Sequence, residues 1–100
     1  MVKAVIIDPL DNVACLTEEG KKDDTFDYEV KGKKLSMKLK SDIPFGHKFA
    51  IRPIKRDELI VKYGKPIGAA IESIEAGAHV HVHNCAGLRG RGDLKGGTDQ

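Results

Sequence analysis

Asp42-Ile43-Pro44-Phe45-Gly46-His47-Lys48-Phe49-Ala50 opens the stretch, running to Asn84, that decides how this chain folds. Pro44 fixes one φ angle and Gly46 permits one closed to other residues, so Asp42 to Gly46 is a turn-rich crossing. His47 to Ile54 then reads as a strand with Phe49 and Ile51 on one apolar face, and Pro53 marks it as an edge or a strand end. Lys55-Arg56-Asp57-Glu58 is a charged turn. Leu59 to Tyr63 is a strand closed by Gly64-Lys65-Pro66, and Ile67 to Ile71 is another. After the turn Glu75-Ala76-Gly77 comes a last strand, Ala78 to Asn84, holding three of the four histidines. Many short strands with turns every eight or so residues specify a small all-β domain.

Toward the N-terminus the same grammar continues. Lys3 to Ile7 reads as a strand stopped by Asp8-Pro9. Asp11-Asn12-Val13-Ala14-Cys15-Leu16 reads as the start of a short helix, with Asp11 or Asn12 as its N-cap and its end before Gly20. Glu18 to Asp24 is a polar loop. Thr25 to Val30 and Leu35 to Leu39 form a hairpin around Lys31-Gly32. No internal repeat is visible, and at most one or two short helical turns are expected. Beyond residue 85 glycines and basic residues replace hydrophobic ones, so 86–100 is expected to be a flexible Gly-rich tail or linker on a domain of residues 1–85.

Composition narrows the function. One hundred residues at 40% hydrophobic and 32% charged make one ordinary globular core. Seventeen basic against fifteen acidic residues leave a net charge of +2, too balanced for binding nucleic acid through phosphate neutralisation. The lysines from Lys31 to Lys40 read as the solvated face of a hairpin. No apolar run approaches the ~18 residues of a membrane span. The opening Met1 to Asp8 is too short and too soon acidic for a signal peptide, so a cytoplasmic location is expected. Cys15 and Cys85 form no CxxC pair and read as free thiols in a reducing compartment. Arg91-Gly92-Asp93 matches an adhesion tripeptide by chance. The chain contains no phosphate loop, Ser-His-Asp arrangement or cysteine-nucleophile motif.

Chemistry concentrates in two places. In an extended strand His79, His81 and His83 share one face while Val80 and Val82 take the other. The core wants the valines, and three imidazoles would be costly to bury unpaired, so the histidine face looks outward. Same-face neighbours on a strand lie about 6.5–7 Å apart, close enough for two imidazoles to grip one metal ion, with His79 and His81 as candidate ligands. An anion site, with imidazoles donating to a carboxylate, and a functionless surface strand fit the spacing equally. The second group is Gly46-His47-Lys48 with Lys62-Tyr63-Gly64. It offers ammonium, imidazole and phenol groups beside glycines that let a ligand approach, which suits an acidic, hydroxylated small molecule; ordinary surface lysines explain it as well.

Four stretches carry a family resemblance: Asp11 to Ala14, Asp42 to Ala50, Val61-Lys62-Tyr63-Gly64-Lys65-Pro66-Ile67-Gly68, and His79-Val80-His81-Val82-His83-Asn84. In this order they resemble the N-terminal SAF-type domain of the altronate/galactarate dehydratase family, a module also found as the alpha subunit of sulfolactate sulfo-lyase. The resemblance spans about residues 3 to 85. It is specific from Asp42 to Asn84 and generic between Leu16 and Leu39.

The resemblance implies a β-clip fold and a sugar-acid hydro-lyase, or a sulfo-lyase that eliminates sulfite. It implies a divalent metal, often iron, held mainly by a large catalytic subunit. A chain ending at Gln100 is then expected to be a small subunit, inactive alone, completing an active site with that partner. The expected roles are proton transfer for His81 and His83, and substrate binding for His47, Lys48, Lys62, Tyr63, Gly64 and Asn84. Any metal on this chain would fall to His79 and His81. A stand-alone acid- or metal-binding module is the reading outside enzymology.

Overall fold

Strands this short cannot satisfy their backbone groups in isolated hairpins, so they pair with distant segments. The computed structural model describes residues 1–30 and 32–87, and among these it contains strands and turns but no helix. The strands are β1 (Ala4–Val5), β2 (Val13–Leu16), β3 (Thr25–Val30), β4 (Lys33–Lys38), β5 (Lys48–Ala50), β6 (Leu59–Lys62), β7 (Lys65–Ala70), β8 (His79–Val80) and β9 (Cys85–Gly87). They form a four-stranded sheet in the order β1-β2-β5-β8, a hairpin β3-β4, and a three-stranded sheet β6-β7-β9, all antiparallel. No helix among the described residues is long and apolar enough to cross a membrane.

The short β2 segment corrects the helix expected from Asp11. Its Val13, Ala14 and Leu16 are all buried, and it pairs with β1 on one side and β5 on the other. A four-residue helix would lose both ladders, and local capping signals are too weak to outweigh them. The proposed caps are used differently. Asn12 reaches across to β6, donating from Nδ2 to the Leu59 carbonyl at 2.8 Å and accepting from Val61 N–H at 2.8 Å.

A repeat faint in the residue letters is plain in the backbone. Four times a bridge residue is followed, three positions on, by a positive-φ residue and then by a strand. The pairs are Gly20 with Asp23, Ile43 with Gly46, Ile54 with Asp57, and Ile74 with Gly77. The first two units bridge each other through Gly20 and Ile43, and the last two through Ile54 and Ile74. Their hydrogen bonds match as well: Gly46 N–H donates to Leu16 O at 3.1 Å, and Gly77 N–H to Ala50 O at 2.7 Å. The clip is therefore two copies of one motif, which corrects the expectation of no repeat. All four units share a Gly or Asp at the positive-φ position and a buried apolar residue three positions later (Phe26, Phe49, Ile60, Val80), and three have Ile at the bridge, where the first has Gly20.

Two apolar clusters flank β5. Leu16, Phe26, Leu39, Ile43 and Phe49 belong to one; Val13, Ala50, Ile54, Ile60, Ile74 and Val80 to the other. Phe49 is fully buried and meets Phe26 edge-on at 5.2 Å. The β6–β7 turn is Tyr63-Gly64, both at positive φ (56° and 74°), the backbone of a two-residue hairpin turn. Lys65 and Pro66 are thus strand residues, not the expected closing turn, and the register slips between Ile60 and Val61, leaving Ile67 as the extra residue between Pro66 and Gly68. At the other end β9 pairs Ala86 with Ala69 and Gly87 with Gly68. Ala86 and Gly87, expected to open the 86–100 tail, belong to β9 instead, and Lys31 and residues 88–100 lie outside the described residues.

Candidate functional site

The expected seven-residue histidine strand is only His79–Val80 long. The chain then turns: Asn84 N–H donates to His81 O at 3.0 Å and Cys85 N–H to the same oxygen at 2.9 Å. Val80 is fully buried as expected, but Val82 is 78% exposed at the tip of the turn, contrary to the alternation read from the sequence. The imidazoles still gather, by a different route. In the β5–β8 ladder Lys48 opposes Val80 and Phe49 opposes His79, which brings His47 to His81. Their rings stack with centroids 4.5 Å apart. The turn folds His83 back until its ring lies 5.4 Å from that of His79. His47 Nδ1 stands 2.9 Å from His79 Nε2.

Asn84 holds this turn. It is buried, accepts His81 N–H on Oδ1 at 3.0 Å and donates from Nδ2 to His79 O at 2.8 Å. A side-chain amide thereby fixes the backbone carrying two of the imidazoles. The amide expected to touch substrate faces inward.

The cluster is electrostatically tense. Burial, then the charges of His47, His83, His81 and Lys48, push the His79 pKa down to about 4. Partial burial and the charges of His47, Lys48 and His83 lower His81 in the same direction. Both rings are therefore held neutral at physiological pH, with lone pairs available to a proton, a cation or a donor. Cys85 is raised by burial against an opposing effect of Lys48, and remains a thiol.

Lys62, Tyr63 and Gly64 come together elsewhere, at the β6–β7 turn. Lys62 Nζ lies 4.9 Å over the Tyr63 ring. This turn is anchored by Asp11, expected from its local sequence to cap a helix. Asp11 is buried; its Oδ1 accepts Gly64 N–H at 2.7 Å and its Oδ2 accepts Asp8 N–H at 3.1 Å and Ile7 N–H at 3.3 Å. Burial alone raises the Asp11 pKa, but the backbone donors of Gly64, Asp8, Tyr63 and Ile7 together outweigh it and the net direction is down. Nothing local in the sequence pairs Asp11 with Gly64 or His47 with His79, because each pair is closed by strand register.

An open groove beside the imidazoles is lined by Lys40, Ser41, Glu72, Ser73, Glu75, His79 and His83. A second hollow, between β1 and β3, is lined by Ile6, Phe26 and Tyr28 with Asp8, Asp27 and Glu29. Its three carboxylates share the lining with no basic residue, whereas Glu72 and Glu75 of the histidine groove are offset by Lys40, whose ammonium lies 3.7 Å from Glu75, so the histidine groove is the less repulsive of the two for an acid.

Comparison with known proteins agrees with this geometry. The model of the altronate/galactarate dehydratase SAF domain matches residues 2–87. The (2R)-sulfolactate sulfo-lyase subunit alpha of Chromohalobacter salexigens is 50% identical over 50 residues, 50% of this chain and 53% of that protein. The corresponding subunit of Paracoccus pantotrophus is 46% identical over 49 residues, 49% of this chain and 73% of its own length. The altronate dehydratase of Bacillus subtilis is 52% identical over 50 residues, 50% of this chain but 10% of that enzyme. The chain thus spans about half the length of the first relative and a tenth of the last. A match covering most of the described strands, with the all-β clip and its clustered imidazoles, establishes that the chain belongs to the SAF domain family of the altronate/galactarate dehydratases.

Proposed function

We propose that this domain forms one wall of the active site of a lyase acting on a hydroxy acid, completed by a larger catalytic partner. The observation that carries the reading is the convergence of four imidazoles and Lys48 on one rim of a core that has no structural need of them. The names of the relatives, a dehydratase and a lyase subunit, supply the reaction class. Elimination beside a carboxylate needs a base for the α-proton, positive charge for the developing enolate, and an acid for the departing group. His81 and His83, at the open side of the cluster, are assigned proton transfer. His47 and Lys48 are assigned the substrate carboxylate. Lys62, Tyr63 and Gly64, on the separate β6–β7 turn, are assigned no role in this site, and Asn84 acts by positioning His79 and His81.

In a dehydration the base removes the C2 proton, the C3 hydroxyl leaves as water after protonation, and the enol formed becomes a 2-keto acid. The altronate dehydratase likeness favours this course. The sulfo-lyase likeness favours a second reading, in which the C3–S bond breaks, sulfite departs with the electron pair, and the same enol rearrangement gives pyruvate. Co-expression with a candidate large subunit, assayed on aldonates, aldarates and sulfolactate, tests both. Activity in the complex on one of these substrates, lost in a His81→Ala, His83→Ala variant, is the expected result. Full activity in that variant, or full activity of the large subunit alone, overturns the assignment.

A further inference from the structure

We propose that His47, His79 and His81 bind one divalent d-block cation on this chain itself, leaving a coordination position open toward the adjoining groove. The sequence led to a different expectation, with the metal held mainly by the partner. His47 supplies the missing ligand. One ring nitrogen from each of the three lies within 4.8 Å of the other two, and His47 Nδ1 is already 2.9 Å from His79 Nε2. Around a tetrahedral ion with metal–nitrogen bonds of about 2.0–2.1 Å, ligand nitrogens stand about 3.3 Å apart. The close pair must part slightly and the widest separation must shrink by at most about 1.5 Å, movements within side-chain torsion. The backbone is set beforehand by the β5–β8 ladder and by the Asn84 clamp, the kind of outer support that orients metal ligands.

The donor set also selects the ion. Magnesium and calcium demand oxygen ligands, of which this trio has none. Imidazole nitrogens suit zinc, ferrous iron, cobalt and nickel. Three protein ligands with a fourth position open is the arrangement of ions that act on substrates. When bound, such an ion supplies Lewis-acid stabilisation of enolate charge. With the ion bound, His47 and His81 serve as its ligands in place of the carboxylate-binding and proton-transfer roles given above, and proton transfer falls to exposed His83, which stays outside the set. As a catalytic device the centre rests on the lyase reading; as a binding site it does not, so metal binding and lyase activity fail independently.

The test uses the tag-free 100-residue chain titrated with Co²⁺ and followed by its visible d–d absorption. One Co²⁺ per chain, an intense low-coordinate spectrum, and displacement by one equivalent of Zn²⁺ are expected. Affinity is expected to fall about tenfold or more in each of His47→Ala, His79→Ala and His81→Ala, and by less than about threefold in His83→Ala. Amide NMR spectra confirm that each variant is folded, with His→Gln replacements where alanine is not tolerated. In the unsubstituted chain, Zn²⁺ is expected to shift the imidazole ¹⁵N resonances of the same three residues, a readout that needs no variant. Three results overturn the proposal: no saturable binding, a thiolate charge-transfer band from Cys15 or Cys85 in place of imidazole ligation, or binding indifferent to all three substitutions. The first of these leaves the 2.9 Å contact as an ordinary imidazole–imidazole hydrogen bond.

Discussion

Replacing Asn84 by alanine removes two hydrogen bonds and orphans two backbone groups, the N–H of His81 and the carbonyl of His79. Each bond contributes about 0.5–1.5 kcal/mol net, and each backbone group left buried without a partner costs about 1–3 kcal/mol. His79 and His81 are partly exposed, so water recovers some of the second cost, and the working figure is a loss of about 2–3 kcal/mol. The assay is equilibrium urea unfolding. With an m-value of about 1 kcal/mol/M, the midpoint drops by about 2–3 M. Asn84→Asp keeps the acceptor for His81 but sets a carboxylate against the His79 carbonyl, and is expected to be no better than alanine. Beyond stability, the alanine variant is expected to separate the rings, seen as changed imidazole chemical shifts of His79, His81 and His83 in the folded state. A loss below about 0.5 kcal/mol with those shifts unchanged refutes the clamp, since the turn would then be held by backbone alone.

Two further predictions follow from single side chains and single glycines. Asp11 has a folded pKa below its ordinary 3.8, so its contribution is complete above that value and is lost as pH falls through the lower folded one. Asp11→Asn is expected to lower stability at neutral pH by about 1–3 kcal/mol and to flatten the acid limb of the urea-midpoint curve; an unchanged acid limb contradicts the role given to this carboxylate. Gly46 and Gly77 are repeat equivalents with φ of 83° and 88° but different surroundings. A Cβ on Gly46 meets nothing within 4 Å, so Gly46→Ala is expected to cost about 1–2 kcal/mol. A Cβ on Gly77 collides with the Lys38 carbonyl oxygen, so Gly77→Ala is expected to exceed about 4 kcal/mol or to prevent folding. Equal losses by thermal or urea unfolding would show that backbone strain alone decides both.

Much of the architecture is legible in local chemistry. The hairpin at Gly32, the crossing at Pro44-Gly46 and the break at Gly77 are written in residues whose φ preferences or missing N–H groups leave few alternatives. The burial of Val80 and the outward histidines follow from the cost of hiding imidazoles. That the proposed chemistry is sought at His47, Lys48 and the three late histidines likewise follows from residue type.

What the letters do not carry is everything closed by register. Asp11-Asn12 has the chemistry of a helix start, yet its side chains serve Gly64 and β6, some fifty positions away. Val82 has the right parity for the core and sits in solvent, because Asn84 bends the strand two residues after it begins. The repeat is written in the letters only as a Gly or Asp followed three positions on by an apolar residue, a pattern too sparse to stand out until the backbone shows which positions correspond. Above all, His47 joins His79 and His81 only because β5 and β8 pair with Lys48 opposite Val80. Local propensity determined which residues are polar, which turn and which are buried. Long-range strand pairing, whose energy depends on partners the local sequence does not name, decided that single imidazoles should become one site.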